Sequence, residues 1–297
     1  MEGYPVLKIV YYLFIFADKV VSVLPIRFTR AAARSGALLY LLAFPKKRHL
    51  VERNMRRALG PDATEAEVKR TARRCSGYYA DYWVDILWLP TQTREYVLER
   101  FGRINEAGLE AAAAAGKGLI IVLPHYGSWE AGAVYLSSLG RFAAVAEVLK
   151  PPELFDLFVK LRAGVGIDIF PYNSKPETRD RMVEALKEGT ILALLSDRDL
   201  KGTGVEVEFF GERTTLPPGP AVLAMRSGSP IVCVNVRNID GGWVGHAMDP
   251  IYVESDGDKD EVIARTMQQM ARNLEVLIRE DPAQWHMFMP AWPSDRG

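Results

Sequence analysis

The sequence predicts an α/β fold: a central, mainly parallel β-sheet flanked by helices, in an αβα arrangement, with a helical N-terminal extension. Three observations carry the α/β reading. Leu119-Ile-Ile-Val-Leu123 and Ile191-Leu-Ala-Leu-Leu195 are short unbroken apolar runs, as expected of parallel strands covered on both faces. Helical patterns alternate with such runs after Phe101, which is the signature of βαβ units. Before about Arg100 the chain reads as helical throughout.

Taken in order, the first helices are apolar. Ile9 to Ala17 is uncharged, Asp18 and Lys19 follow, and Val20 to Ile26 is uncharged again. Ser35 to Pro45 adds another uncharged run before Lys46-Lys47-Arg48-His49. The pattern gives two apolar helices, broken near Pro25 and ended near Pro45. Neither reaches the roughly 20 apolar residues that a membrane span needs. The start, Met-Glu-Gly-Tyr-Pro, lacks a basic opening and a small-residue cleavage site, so it does not read as a signal peptide. From Arg27 to Arg74 there are 13 Lys and Arg against four Asp and Glu. Apolar helices beside such a basic stretch fit a membrane surface with anionic head groups; packing on the protein's own core fits equally well.

Glu65 to Leu89 is a proline-free run ended by Pro90, with Asp62 or Thr64 as its cap and Glu67 completing the capping-box pattern. Its aromatic residues, Tyr78, Tyr79, Tyr82, Trp83 and Trp88, read as core. Beyond Phe101 come a helix at Leu109–Ala115, the strand Leu119–Leu123, a helix from Trp129 to Leu139 and a strand at Phe142–Glu147. A helix at Glu153–Leu161, a strand at Ile167–Phe170 and a helix at Thr178–Lys187 follow. The strand Ile191–Leu195, a helix opened by Pro217-Pro218-Gly219-Pro220, the strand Ile231–Val236 and a final helix at Asp260–Arg279 complete the series. The expected organisation is a helical region over residues 1–100, membrane-surface-associating on the first of those two readings, and one compact α/β unit over residues 101–297, expected to be the catalytic region.

Composition narrows the function. Apolar residues make up 48% and charged residues 25% of 297, a globular mixture. The formal net charge is zero, which argues against a nucleic-acid partner. Cys75 and Cys233 are too few for a disulfide scaffold and read as small buried residues.

In parallel sheets, ligands bind beyond the carboxyl ends of strands. Two such ends carry unusual residues. At the first, Leu123 runs into Pro124-His125-Tyr126-Gly127-Ser128-Trp129-Glu130. Gly127 allows a tight turn, Ser128 is placed to cap the next helix, and that turn frees Glu130 to meet His125. A carboxylate on imidazole fixes its tautomer and makes a general base. At the second, Leu195 runs into Ser196-Asp197-Arg198-Asp199, either a salt-bridge cluster or a polar wall of the same cleft. The proline-opened helix offers free N–H groups to an anion.

Other chemistries lack their patterns. No Gly-x-Ser-x-Gly pentapeptide is present for a serine hydrolase. Gly164-x-Gly166 and Gly202-x-Gly204 lack the third glycine of a dinucleotide site. Four dispersed histidines (His49, His125, His246, His286) give no metal-ligand spacing. A non-catalytic, peripheral lipid-binding protein remains as a further alternative.

Gly116-Lys-Gly-Leu-Ile-Ile-Val-Leu-Pro-His125-Tyr-Gly-Ser-Trp-Glu130 resembles the signature of the bacterial lipid A biosynthesis (lauroyl/myristoyl) acyltransferase family, part of the wider glycerolipid acyltransferases with a His-x4-Asp/Glu (HX4E) motif. Val51-Glu-Arg-Asn54, Asp197-Arg-Asp-Leu200, Phe209-Phe-Gly211 and Pro217-Pro-Gly-Pro220 resemble its other blocks, in order. Within it the chain is most similar to actinobacterial phosphatidylinositol mannoside acyltransferases, through Asp197-Arg198-Asp199-Leu200, Gly204 to Gly211 and Trp285-His286-Met287. Ser128 stands where the family commonly has Asn.

The resemblance implies transfer of a long acyl chain from an acyl thioester, acyl-CoA or acyl-ACP, to a hydroxyl of an anionic membrane glycolipid. The acceptor it implies is a phosphatidylinositol mannoside, with a lipid A/Kdo-lipid precursor as the alternative. His125 is the implied general base and Glu130 its partner. Arg162, Asp197 and Arg198 are implied to bind the oxyanion or orient substrate. No covalent intermediate, cofactor or metal is implied. The implied location is the cytoplasmic face of the cell inner membrane, peripheral or monotopic.

Overall fold

The computed structural model describes residues 5–148, 152–164, 166–172, 175–199, 202–254 and 257–295. The Met1–Tyr4 opening, Val165 between the two glycines and Leu200 of the Asp-Arg-Asp-Leu block lie outside them.

Helix α1 spans Pro5–Val23, α2 Ile26–Ala43 and α3 Pro45–Leu59. Pro25 and Pro45 cause the two breaks. Proline disfavours helix in the residue before it and suits the first turn after it. Helix α4, Glu65–Trp88, begins with the expected capping box: the Thr64 hydroxyl accepts from the Glu67 N–H at 3.3 Å, and the Glu67 carboxylate accepts from the Thr64 N–H at 2.8 Å. Pro90 follows in a short 3-10 turn, Leu89–Thr91, before α5 (Arg94–Glu99).

The α/β region then runs β1 (Phe101–Ile104), α6 (Ala107–Ala114), β2 (Leu119–Leu123), α7 (Trp129–Leu139), β3 (Phe142–Glu147), α8 (Pro152–Ala163), β4 (Asp168–Tyr172), α9 (Pro176–Lys187) and β5 (Ile191–Leu195). A hairpin follows, β6 (Val205–Phe209) and β7 (Glu212–Leu216), then α10 (Gly219–Ser227), β8 (Ile231–Ile239), β9 (Gly242–Ala247) and α11 (Lys259–Arg279). The main sheet has the order β1-β9-β8-β2-β5-β3-β4. Every pairing in it is parallel except β8–β9.

Strands β1 and β9 and the β6–β7 hairpin were not expected. Strand β1, Phe-Gly-Arg-Ile, buries only Phe101, so it shows no apolar period. Hairpin β6–β7 turns on Phe210 and Gly211, at φ +54° and +76°. That two-residue turn needs left-handed backbone, a conformation that a bulky side chain seldom adopts. Phe210 is held there by its ring against Trp285, centroids 5.3 Å apart, and by its N–H donating to Glu275 at 2.7 Å.

Strand β2 shows how the sheet is covered. Ile120 and Val122 face one core with Val51, Met55, Val68 and Cys75 of the N-terminal helices. Leu119, Ile121 and Leu123 face the other core, with Ala131 and Val134 of α7. Period-two alternation sends successive side chains to opposite faces, so an all-apolar strand fills both. The first hundred residues thus share a core with the sheet. Both cysteines are buried and free.

Candidate active site

Register places the first functional pair. Strands β2 and β5 are neighbours, with Leu123 opposite Leu195. Two residues beyond each stand His125 and Asp197. The strands diverge no further than one hydrogen bond, Ser196 N–H to Leu123 O at 3.0 Å. His125 Nδ1 meets Asp197 Oδ1 at 2.6 Å. The Asp197 side chain is fully buried, whereas that of His125 is 29% exposed. The second Asp197 oxygen, Oδ2, accepts from the Trp285 indole N–H at 2.9 Å.

Electrostatics leave the imidazole neutral. Burial lowers the pKa of His125 below the usual histidine value; Asp197 pulls it upward, and the Arg198 charge pushes it down again. Burial works to raise Asp197, but His125, Arg198 and the indole bond together hold it well below the ordinary carboxylate range. An ionised Asp197 accepts, so Nδ1 carries the proton and Nε2 presents its lone pair.

The sequence reading put Glu130 on His125. The structure puts Asp197 there, and Glu130 in a second buried pair: its Oε1 accepts from Arg162 Nη2 at 3.4 Å. The physical reason is direction. Glu130 lies in the first turn of α7, where its carboxylate meets Arg162 of α8 and feels Asp85 of α4. Burial pushes its pKa up to about 7, against the pull of Arg162. The Arg162 guanidinium lies 4.7 Å from the Trp129 ring centroid and 5.6 Å from that of Phe158.

Ser128 does not cap α7 with its side chain. Its buried hydroxyl turns towards Asp85 of α4, whose own pKa is pushed up to about 6 by burial, with Arg30 opposing. Arg30 Nη2 reaches Asp85 Oδ1 at 2.6 Å, and one turn on Arg34 grips Asp81 at 2.6 Å. These pairs fix α2 on α4. Gly127 is required where it stands. Its φ is +52°, and a Cβ there would meet the Val236 carbonyl oxygen at 1.9 Å.

Arg198 completes the wall. Nη2 donates to the His286 carbonyl, while among the described residues Nη1 faces only the Met289 sulfur at 3.8 Å, a weak acceptor. His286 is buried, and burial, with Arg198 and His125 adding to it, lowers its pKa to about 3. Its ring lies 5.4 Å from Tyr79 and 5.3 Å from Tyr82. Tyr79 stacks on Phe288 at 4.6 Å, and both line an apolar cavity of about 560 Å³ between α1, α2 and α4, with Phe14, Leu41 and Trp83. That size is typical of a ligand pocket. Among the described residues no group of three or more His, Cys, Asp or Glu is placed to hold a metal.

Trp285 and Asp85 were missed as site residues. Nothing local marks Asp85 in an amphipathic helix. Trp285 stood only in a block noted for its resemblance.

Comparison with known proteins shows the family of the chain. The family model described as bacterial lipid A biosynthesis acyltransferase matches residues 4–294. The phosphatidylinositol mannoside acyltransferase of Mycolicibacterium smegmatis is 34% identical over 269 residues, covering 90% of this chain and 83% of that protein. The protein of the same name from Mycobacterium tuberculosis (strain CDC 1551 / Oshkosh) is 33% identical over 250 residues, 82% of this chain and 77% of its own length.

Proposed function

Since the chain belongs to the bacterial lipid A biosynthesis acyltransferase family and is an acyltransferase, we propose that it moves a long fatty acyl chain from acyl-CoA or acyl-ACP to a hydroxyl of a phosphatidylinositol mannoside. The observation that carries the chemistry is a neutral, half-open imidazole whose Nδ1 is held by a buried carboxylate. The acceptor follows the name shared by the mycobacterial relatives.

His125 Nε2 takes the acceptor hydroxyl proton as the oxygen attacks the thioester carbonyl. General base catalysis of this kind is worth about 10²–10⁴ in rate. Asp197 holds the tautomer and offsets the charge that develops on the ring. The intermediate's oxyanion needs a donor. Arg198, whose Nη1 meets no strong acceptor among the described residues, is the first choice; Arg162, held by Glu130, is the second. Collapse breaks the C–S bond, and the imidazolium returns its proton to the departing sulfur. No acyl-enzyme forms. The cavity between α1, α2 and α4 receives the alkyl chain.

The same reading places the protein on a membrane surface. Tyr12, Leu13, Phe16, Phe28, Leu39 and Phe44 are exposed on α1, α2 and the residue after α2, beside the basic Lys46-Lys47-Arg48 turn. Among the described residues no helix is long and apolar enough to cross a membrane. Helices of this kind lie in the interface.

The deciding measurement is thiol release from palmitoyl-CoA in the presence of a mannosylated phosphatidylinositol, a Kdo-lipid A precursor, or no acceptor. Stimulation by the first alone is expected. Stimulation by the second alone would replace the acceptor, and no stimulation by either would reject both.

A further inference from the structure

The segment after α11 touches both strand ends that build the site. The Gln284 carbonyl accepts from the Gly127 N–H at 3.0 Å, and the His286 N–H donates to the His125 carbonyl at 2.8 Å. Between them Tyr126 and Trp285 form an antiparallel bridge. The His286 carbonyl accepts from Arg198. The segment is itself pinned: Asn54 Nδ2 donates to the Met287 carbonyl at 2.9 Å, and Cys75 Sγ lies 3.2 Å from the Trp285 carbonyl.

The Trp285 side chain does something more specific. It is fully buried in a nest of Phe209, Phe210 and Trp292, with centroid distances of 6.1, 5.3 and 6.2 Å. Its one polar atom aims at Asp197 Oδ2, while Oδ1 of the same carboxylate takes His125 Nδ1. The carboxylate is therefore held at both ends, and its plane is set by a group that cannot rotate away.

We propose that Trp285 is a positioning residue that sets the basicity of His125 through Asp197. An N–H bond to one carboxylate oxygen draws off charge. Asp197 then binds the Nδ1 proton less tightly and supports the imidazolium less. His125 stays neutral at physiological pH, free to accept a proton at Nε2. The opposite view is that the indole merely satisfies its own buried N–H, which any buried tryptophan must do.

Two variants separate these views. Trp285→Phe removes the N–H and some bulk. Site-specific replacement of Trp285 by 3-benzothienylalanine removes the N–H and keeps the bicyclic shape, so it serves if the first variant folds poorly. The ring of His125 is titrated by NMR on histidine-labelled protein, its signal assigned by its loss in His125→Gln. Acyl transfer kcat/KM is measured against pH on the same samples.

The wild-type His125 midpoint should lie below the ordinary histidine value. Both variants should raise it by on the order of one unit, tenfold in the protonation constant, and carry the acid limb of kcat/KM up with it. An unmoved midpoint in the folded benzothienyl variant would overturn the proposal. The kinetic arm alone rests on the reading of His125 as base. A shifted NMR midpoint with an unshifted acid limb would uphold the control by Trp285 and reject that reading.

Discussion

Two regions of the molecule sort their side chains against the usual rule, in opposite directions. Where β2 and β5 end, charge is buried: the side chains of Asp197 and Glu130 are 0% and 4% exposed. On α1, α2 and the residue after α2, hydrocarbon is exposed: 11 of the 16 large exposed apolar residues among those described lie between Tyr12 and Phe44. Buried charge and contiguous exposed apolar surface both cost stability, so both are informative. The difference between them is where the compensating partner sits. Each buried acid has its partner inside the chain: His125 and Trp285 for Asp197, Arg162 for Glu130. The apolar face has none among the described residues; under the proposed function a lipid surface supplies one from outside. On that reading, a site that must hold geometry carries its own partners, and a docking surface borrows them.

The sharpest way to break the comparison is at the buried end. Replacing His125 by Ala should cut transfer by about 10²–10⁴ with little change in melting temperature, because the ring is partly open. Asp197→Asn should fall in the same range, since an amide no longer enforces the tautomer. Near-normal turnover in either variant, measured as acceptor-dependent thiol release, removes the base.

A subtler test uses Glu130. Its folded pKa of about 7 lies above the ordinary 4.5. A raised acid contributes stability that is full below the unfolded value and is lost as pH rises through the folded one. Glu130→Gln escapes that loss. From pH 4 to pH 8 the variant should therefore gain on the wild type, by up to about 3 kcal/mol. Denaturant melts at the two pH values give the difference. A constant gap would mean that the carboxylate is not the strained member of its pair.

The exposed end should respond on another axis. Phe16→Ser or Phe28→Ser should weaken partition onto anionic vesicles roughly tenfold each while leaving the melting temperature almost unchanged. A drop in melting temperature with unchanged partition would show that the face packs on protein. That result would also dissolve the contrast.

The local parts of this architecture were readable in the sequence. Strands β2 and β5 and helix α7 fall within the runs that marked them. Pro25 and Pro45 divide the first helices. Thr64 and Glu67 form their box. These features depend on neighbours a few residues away. Strand β1 escaped because its edge position buries only Phe101, and β9 because its buried residues, Trp243, Val244 and Ala247, follow neither an alternating nor a continuous apolar pattern. The β6–β7 turn escaped because Phe210 adopts a backbone conformation that no propensity favours, imposed by Trp285 from 75 residues further along the chain.

The site divides in the same way. His125 and Asp197 were each recognisable as polar residues closing an apolar run. Their pairing was not, because 72 residues separate them, and Glu130 looked nearer. The sequence by itself determined two buried strands, a glycine-bearing turn after the first, and the polar residues each strand delivers to the surface of the sheet. Only the tertiary structure decided which carboxylate meets the imidazole. Strand order and register follow from burying both faces of the whole sheet at once, a condition that no local stretch of chain contains.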